Sequence, residues 1–139
     1  MVVDLLRREL ALRYLAHSEI GLVRKNNQDS AYTSPTMLMV ADGMGGAAAG
    51  DLASAIAIRD LQEADGPLTG ESMLTAIDAA ISKASRAISD LVVDDPALDG
   101  MGSTVCGALF DGTHLGIANI GDSRAYLYRD AALTRLTKD

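Results

Sequence analysis

Four aspartates mark the places where this sequence could do chemistry. Asp42, Asp99 and Asp122 each stand beside glycine or a tight turn at a predicted strand end, and Asp29 closes a polar loop. Hard cations such as Mg²⁺ and Mn²⁺ prefer carboxylate, carbonyl and water oxygens. A strand end fixes a carboxylate in place. A glycine after it frees its own carbonyl to turn toward the same ion and lets a bulky ligand approach. The competing reading of any Asp-Gly pair is a simple turn, and Asp99-Gly100 and Asp111-Gly112 read that way. Asp42-Gly43 differs, because Met44-Gly45-Gly46 prolongs the flexible backbone: residues 40–50 read VADGMGGAAAG, with four glycines in eight positions.

Other uses of a glycine-rich loop fit poorly. A phosphate-cradling loop needs a lysine after its last glycine, and none follows here. A dinucleotide fingerprint needs a third glycine where Ala48 stands, within a βαβ frame that this sequence lacks. No run of alternating acidic ligands forms a calcium loop. Cys106, the single cysteine, lies in the apolar stretch STVCGALF with no histidine nearby, which reads as a buried structural thiol. His17 and His114 read as structural or surface residues.

These side chains must be positioned by regular elements. Met37 to Ala41 is a short apolar run between turn signals and predicts a buried strand that stops at Asp42. Ser30 to Thr33 predicts another strand, joined to it by Ser34-Pro35-Thr36. Leu10, Leu12, Tyr14 and Ala16 alternate like a strand, yet the same stretch could be helical. From about Gly50 to Ala64 the period is helical, with Ala53, Ala57, Leu61 and Ala64 on one face suited to close packing on a sheet. A second helix is predicted from about Gly70 to Val93, capped by Thr69, with the stripe Leu74, Ile77, Ile81, Ala84, Ile88 and Leu91. That stripe is too short for a coiled-coil seam and predicts one face packed on a sheet. Beyond Asp94-Asp95-Pro96 the period becomes that of strands. Ser103 to Phe110, the strand bearing Leu115, Ile117 and Asn119, and the strand bearing Arg124, Tyr126 and Tyr128 predict an antiparallel meander turned by Asp111-Gly112 and Gly121-Asp122-Ser123. The order of elements is that of an α+β fold rather than repeated βαβ units.

Composition sets the outer limits. The 139 residues are 48% apolar, enough for a single domain, residues 1–139, with a real core. A formal charge of −7 and a pI near 4.6 disfavour nucleic acid and anionic membrane as partners. No run approaches the roughly 20 apolar residues of a membrane span, and MVVDLLRREL lacks the shape of a signal peptide. A cytoplasmic location is the expectation.

Several separated segments together carry a resemblance. Arg24-Lys25-Asn26-Asn27-Gln28-Asp29, Val40-Ala41-Asp42-Gly43-Met44-Gly45-Gly46, Gly102-Ser103-Thr104 and Ile120-Gly121-Asp122-Ser123-Arg124 occur in this order, followed by Leu133 to Asp139. Over roughly residues 12–139 the sequence resembles the bacterial metal-dependent serine/threonine protein phosphatases of type 2C (the PPM family). The resemblance implies an α-β-β-α sandwich: two antiparallel sheets face to face, with helices outside. It implies hydrolysis of phosphoserine and phosphothreonine in proteins, with two Mn²⁺ or Mg²⁺ ions holding a bridging water that attacks phosphorus in line, and a third ion in bacterial members. Carried over by position, Asp42 bridges the metals, Gly43 adds its carbonyl, and Asp29 holds metal-bound water. Asp122 serves the third site, and Arg24 contacts the substrate phosphate. Phosphorylated proteins and serine/threonine kinases are the implied partners.

The sequence departs from the family pattern in three places. Further metal-binding aspartates of the family are expected beyond Asp139, so the chain is expected to be an incomplete domain. Alone, such a chain should be inactive and should dimerise or swap strands to cover exposed edges. Ala47 stands where relatives carry a histidine, and Gly50-Asp51 replaces a Gly-Glu pair. Asp130-Ala131 replaces an Asp-Gly turn, which predicts a strained hairpin. A different functional class also fits the sequence: a non-catalytic module using a phosphatase-like half-fold for protein contacts.

Overall fold

The computed structural model describes residues 10–46, 48–67 and 69–139. Strands β1 (Asp29–Thr33) and β2 (Met37–Met44) are followed by helix α1 (Ala49–Leu61) with a 3₁₀ turn at Gln62–Ala64, and by helix α2 (Glu71–Asp94) with a 3₁₀ turn at Pro96–Leu98. Strands β3 (Gly102–Ser103), β4 (Val105–Phe110), β5 (Leu115–Ile120), β6 (Tyr126–Arg129) and β7 (Ala132–Arg135) complete the order. The first sheet runs β1-β2-β4-β5, all antiparallel, with β3 also paired to β2. A second sheet is the β6-β7 hairpin. The chain is thus α+β, with two antiparallel sheets and two helices.

The β1-β2 hairpin forms where the sequence places it. The Ser34 hydroxyl accepts from the N–H groups of Thr36 (3.2 Å) and Met37 (3.0 Å), and the Ser34 N–H donates to the Met37 carbonyl (2.8 Å). Along β2 the pleat turns Met37, Met39, Ala41 and Gly43 inward, where all four are buried. The strand does not stop at Asp42. It runs on to Met44, because Gly43 and Met44 pair with Ser103 and Gly102 of β3.

Helix α1 lies on the inner face of β2 through its small-residue face: Ala53, Ala57, Leu61 and Ala64 are all buried. Ala57, Leu61 and Ala64 form the centre of the core with Met37, Met39, Val105 and Leu109, while Ala53 packs with Ala49 and Met101 in a smaller cluster. The buried face of α2 keeps Ile77 and Ala84 of the expected stripe, with Ile81, Ile88 and Leu91 packed against the core, and departs from it at Leu74. Leu74 is 47% exposed, and Met73, Ile77, Ala80 and Ala84 are the buried positions. The cause is that α2 rests mainly on α1, reaching the sheet at β5, where Met73 and Leu74 close over Gly116. Nor does Thr69 cap α2. The cap position is Gly70, whose N–H is taken by the Asp111 carboxylate at 2.9 Å.

The expected meander is only half present. β4 and β5 form the hairpin turned at Asp111-Gly112, but β5 does not continue into β6 as a neighbour. Gly121, with φ of +92°, bends the chain out of the sheet, and β6 pairs with β7 instead. The single strand expected from Ser103 is divided at Thr104 into β3 and β4. Residues 10–20 form neither of the two elements open for them. Between the outer face of the first sheet and the β6-β7 hairpin lies an apolar cleft of about 460 Å³, with Leu38, Val40, Ala108 and Ile117 on one side and Tyr126 and Leu127 on the other. Among the described residues no helix is long and apolar enough to cross a membrane.

Candidate metal centre

The antiparallel register of β1 and β2 sets Asp29 directly opposite Asp42. Both stand on the outer face, since Ala41 and Gly43 beside Asp42 point to the core. Like charges facing each other across strands destabilise a sheet. This pair is therefore not there for the stability of the sheet. Asp29 is set by its neighbour: the Asn27 carboxamide oxygen accepts from the Asp29 N–H at 3.0 Å, while its amide nitrogen donates to the Ser18 hydroxyl at 2.7 Å.

Burial is the first cause that pushes the Asp42 carboxyl above its ordinary range. The charge of Asp29, a hydrogen bond shared with it, and the charge of Asp122 push the same way, and Arg24 opposes them. Three residues from two separate segments thus act electrostatically on one carboxyl. Arg24, Asn26, Asn27 and Asp29 line one polar pocket of about 220 Å³ with Asp42 and Gly43. Asp29 and Asp42 also face an adjoining recess whose wall includes Ser123, next to Asp122.

Gly43 has a reason beyond carbonyl freedom. A Cβ there would lie 1.9 Å from the Gly50 carbonyl oxygen and 2.7 Å from that of Gln28, so only glycine lets α1 come this close to β2. Its N–H donates to the Gln28 carbonyl at 3.0 Å. The turn out of the strand falls at Gly45, with φ of +141°. Ala47 lies outside the described residues.

The donor set of Asp29, Asp42, Asp122 and the Gly43 carbonyl is all oxygen, which suits Mg²⁺ or Mn²⁺ and not a soft metal. Yet among the described residues no three His, Cys, Asp or Glu side chains come close enough to hold an ion by themselves. What this chain presents is a pair of opposed carboxylates, Asp29 and Asp42, with Asp122 near enough to act on Asp42. The remaining aspartates of interest fall elsewhere. Asp111 is spent on its own turn, accepting from the N–H groups of Gly70, Thr113 and His114. Asp99 precedes Gly100, whose φ of +83° makes that pair a turn. His17 and His114 are exposed beside Glu19 and Asp111. Cys106 is a buried free thiol, and burial pushes it up.

Sequence reasoning passed over two residues here. Thr104 accepts the Asp42 N–H with its hydroxyl at 3.0 Å, and that hydroxyl lies 2.7 Å from the hydroxyl of Ser123. Both belong to motifs read for family resemblance alone. The signal that would have found them is a threonine opposite a candidate ligand, which appears only once the β2-β4 register is known.

Comparison with known proteins gives one consistent result. The family model described as protein phosphatase 2C matches residues 12–139. The chain is 48% identical over 133 residues to the serine/threonine protein phosphatase PstP of Mycobacterium tuberculosis, covering 96% of this chain and 26% of that protein. It is 35% identical over 128 residues to the serine/threonine phosphatase stp of Listeria monocytogenes, covering 86% of this chain and 51% of that one. The chain therefore spans between about a quarter and about half of these relatives. The crystal structure of the Mycobacterium tuberculosis phosphatase PstP superposes with a TM-score of 0.89, over 94% of this chain and 55% of that one. The catalytic domain of PstP in complex with two manganese ions superposes at 0.88, at 48% identity, over 93% and 56%.

Proposed function

The chain belongs to the protein phosphatase 2C family, and from that premise we propose that it contributes the Asp42 side of a Mn²⁺- or Mg²⁺-dependent site that hydrolyses phosphoserine and phosphothreonine in proteins. One observation carries this reading: an arginine and two opposed carboxylates, Asp29 and Asp42, line a single polar pocket. In this proposal residues 12–139 are the N-terminal portion of one catalytic domain. Asp42 and the Gly43 carbonyl would hold the ions, Asp29 would hold metal-bound water, and Asp122 would serve a further ion. Bound in a completed site, such ions supply a water acidified enough to attack phosphorus.

The work of this chain's own residues follows from their chemistry. The Arg24 guanidinium offers a planar fork that matches two phosphate oxygens, which an ammonium cannot do. The repulsion that Asp29 and Asp122 exert on Asp42 would be relieved by bound cations. Phosphorylated proteins and the serine/threonine kinases that make them are the partners this activity implies. A cytoplasmic location belongs to the same proposal, in keeping with a lone buried thiol.

Calorimetric titration with Mn²⁺ tests the site. Weak binding that Asp42→Ala abolishes is the expected result. No binding, or binding that Asp42→Ala leaves unchanged, would overturn it and favour the non-catalytic binding module. With an incomplete donor set, the 139-residue chain should turn over p-nitrophenyl phosphate with Mn²⁺ slowly or not at all, and turnover at a rate typical of phosphatases would refute that expectation. The apolar outer face, where Val40 is 50% exposed, is expected to pair with a second copy or to swap strands. A monomer by light scattering at high concentration would count against that.

A further inference from the structure

The β2-β4 ladder has an irregularity beside the candidate ligand. Val40 faces Cys106 and Gly43 faces Ser103, so the continuous register sets Asp42 opposite Thr104. A regular hydrogen-bonded pair would exchange two backbone bonds. Here only one is made: the Thr104 N–H donates to the Asp42 carbonyl at 2.9 Å. The return bond goes from the Asp42 N–H to the Thr104 side-chain hydroxyl at 3.0 Å. The Thr104 carbonyl, released from the ladder, accepts the Ser103 hydroxyl at 2.9 Å. This substitution is what divides β3 from β4.

A side-chain acceptor is a softer support than a backbone carbonyl, because it can rotate about χ1. Two contacts prevent that. The Thr104 hydroxyl meets the Ser123 hydroxyl at 2.7 Å. Since it accepts from Asp42, it is free to donate its own proton to Ser123. Its methyl is cupped by Gly121, where an added Cβ would lie 2.8 Å away. The Gly121-Asp122-Ser123 turn is in turn held by Asn119, whose carboxamide donates to the carbonyls of Gly121 (3.4 Å) and Lys138 (2.9 Å).

We propose that Ser123 is a positioning residue that acts on Asp42 through the Thr104 hydroxyl, locking the strand end that bears Asp42 to the turn that bears Asp122. The lock joins two carboxylates from distant parts of the chain, and displacement of either is transmitted to the other. The lock itself does not depend on the metal reading; only its consequence for cation binding rests on the proposed function.

The test begins without metal, by amide hydrogen exchange on the isotope-labelled protein. Ser123→Ala and Thr104→Val are each expected to speed exchange at the Asp42 amide about tenfold, leaving Ala118 in β5 protected as before. Thr104→Ser, which keeps the hydroxyl, is expected to retain most of the protection. Unchanged exchange at Asp42 in Ser123→Ala, or equal acceleration across the whole sheet, would overturn the proposal. A Mg²⁺ titration followed at the Asp42 and Asp122 amides then reads the consequence. In the unaltered protein both resonances should move with one affinity, and in Ser123→Ala with two different ones. Two affinities already present in the unaltered protein would remove the coupling. No movement at either amide, with the exchange result intact, would count against the metal reading and leave the lock standing.

Discussion

Asp42-Gly43, inside the last residues of β2, and Asp111-Gly112, just past β4, are the same dipeptide on two neighbouring strands, and the structure uses them in opposite ways. The Asp111 carboxylate accepts the N–H groups of Gly70 (2.9 Å), Thr113 (2.8 Å) and His114 (2.6 Å). Those three backbone donors, Gly70 first, hold it well below the ordinary carboxylate range. The Asp42 carboxyl is held above that range, by burial and by the carboxylates around it. The glycines differ as well. Gly112 adopts φ of +94° with open space around it, whereas Gly43 is shut in by the Gly50 and Gln28 carbonyls. A turn aspartate satisfies the backbone and is itself satisfied. Asp42 is left at odds with its surroundings, and a carboxyl so perturbed by burial and by specific charged neighbours marks a candidate functional site.

The glycines offer the harshest way to break the comparison. Gly43→Ala must displace α1 from β2, because its Cβ would overlap a backbone oxygen at 1.9 Å. About 3 kcal/mol or more should be lost in chemical denaturation, at the upper end of overpacking effects. Gly112→Ala meets no atom within 4 Å and should cost only the left-handed backbone term, about 1–2 kcal/mol. Equal losses for the two would erase the distinction.

The carboxylates come next, and pH separates them. A folded-state value held low, as for Asp111, gives stability that is complete above the unfolded value near about 4. It is lost as pH falls toward the folded value. Asp111→Ala should therefore lower the Tm clearly at neutral pH and flatten the acid limb of a stability-pH curve. A variant with the same acid limb as the unaltered protein would show that the three backbone bonds contribute no linkage.

Much of this arrangement is legible in the sequence, and the rest is hidden for identifiable reasons. Alternation and turn chemistry are local, so β1, β2 and the β4-β5 hairpin can be read directly. The small face of α1 follows from periodicity alone. Its meaning for Gly43 does not, because the Gly50 carbonyl that excludes a Cβ arrives from another element. The α2 stripe departs from its periodicity only at Leu74, since the helix packs on α1 rather than flat on the sheet. The opposition of Asp29 and Asp42 needs the β1-β2 register, and the Thr104 support needs that of β2 and β4, which pair across two intervening helices. Motif resemblance named the candidate ligands without showing what holds them.

Another Asp-containing turn sharpens the comparison further. Asp130-Ala131 takes the conformation with φ positive at both residues, 52° and 61°, where alanine gains nothing. Ala131→Gly is expected to stabilise the protein by about 1 kcal/mol. An unchanged or lower Tm would mean that the β6-β7 hairpin contributes little to the folded state.

The smallest expected effect is the one that best separates site from turn. With metal chelated, Asp42→Asn removes one member of a like-charged cross-strand pair, so it should raise stability by about 0.2–1 kcal/mol at neutral pH. The sign comes from linkage. A folded-state value held high means that the folded form binds more protons than the unfolded form just above the unfolded value of about 4. Stability from Asp42 is thus greatest in acid and falls as pH rises through the folded value, the reverse of Asp111. Asp42→Asn should remove that fall, and with it the response to Mn²⁺ that distinguishes a metal ligand from a merely misplaced charge. If the substitution destabilises the metal-free protein instead, the Asp42 carboxylate is satisfied by the fold after all, and the contrast with Asp111 disappears.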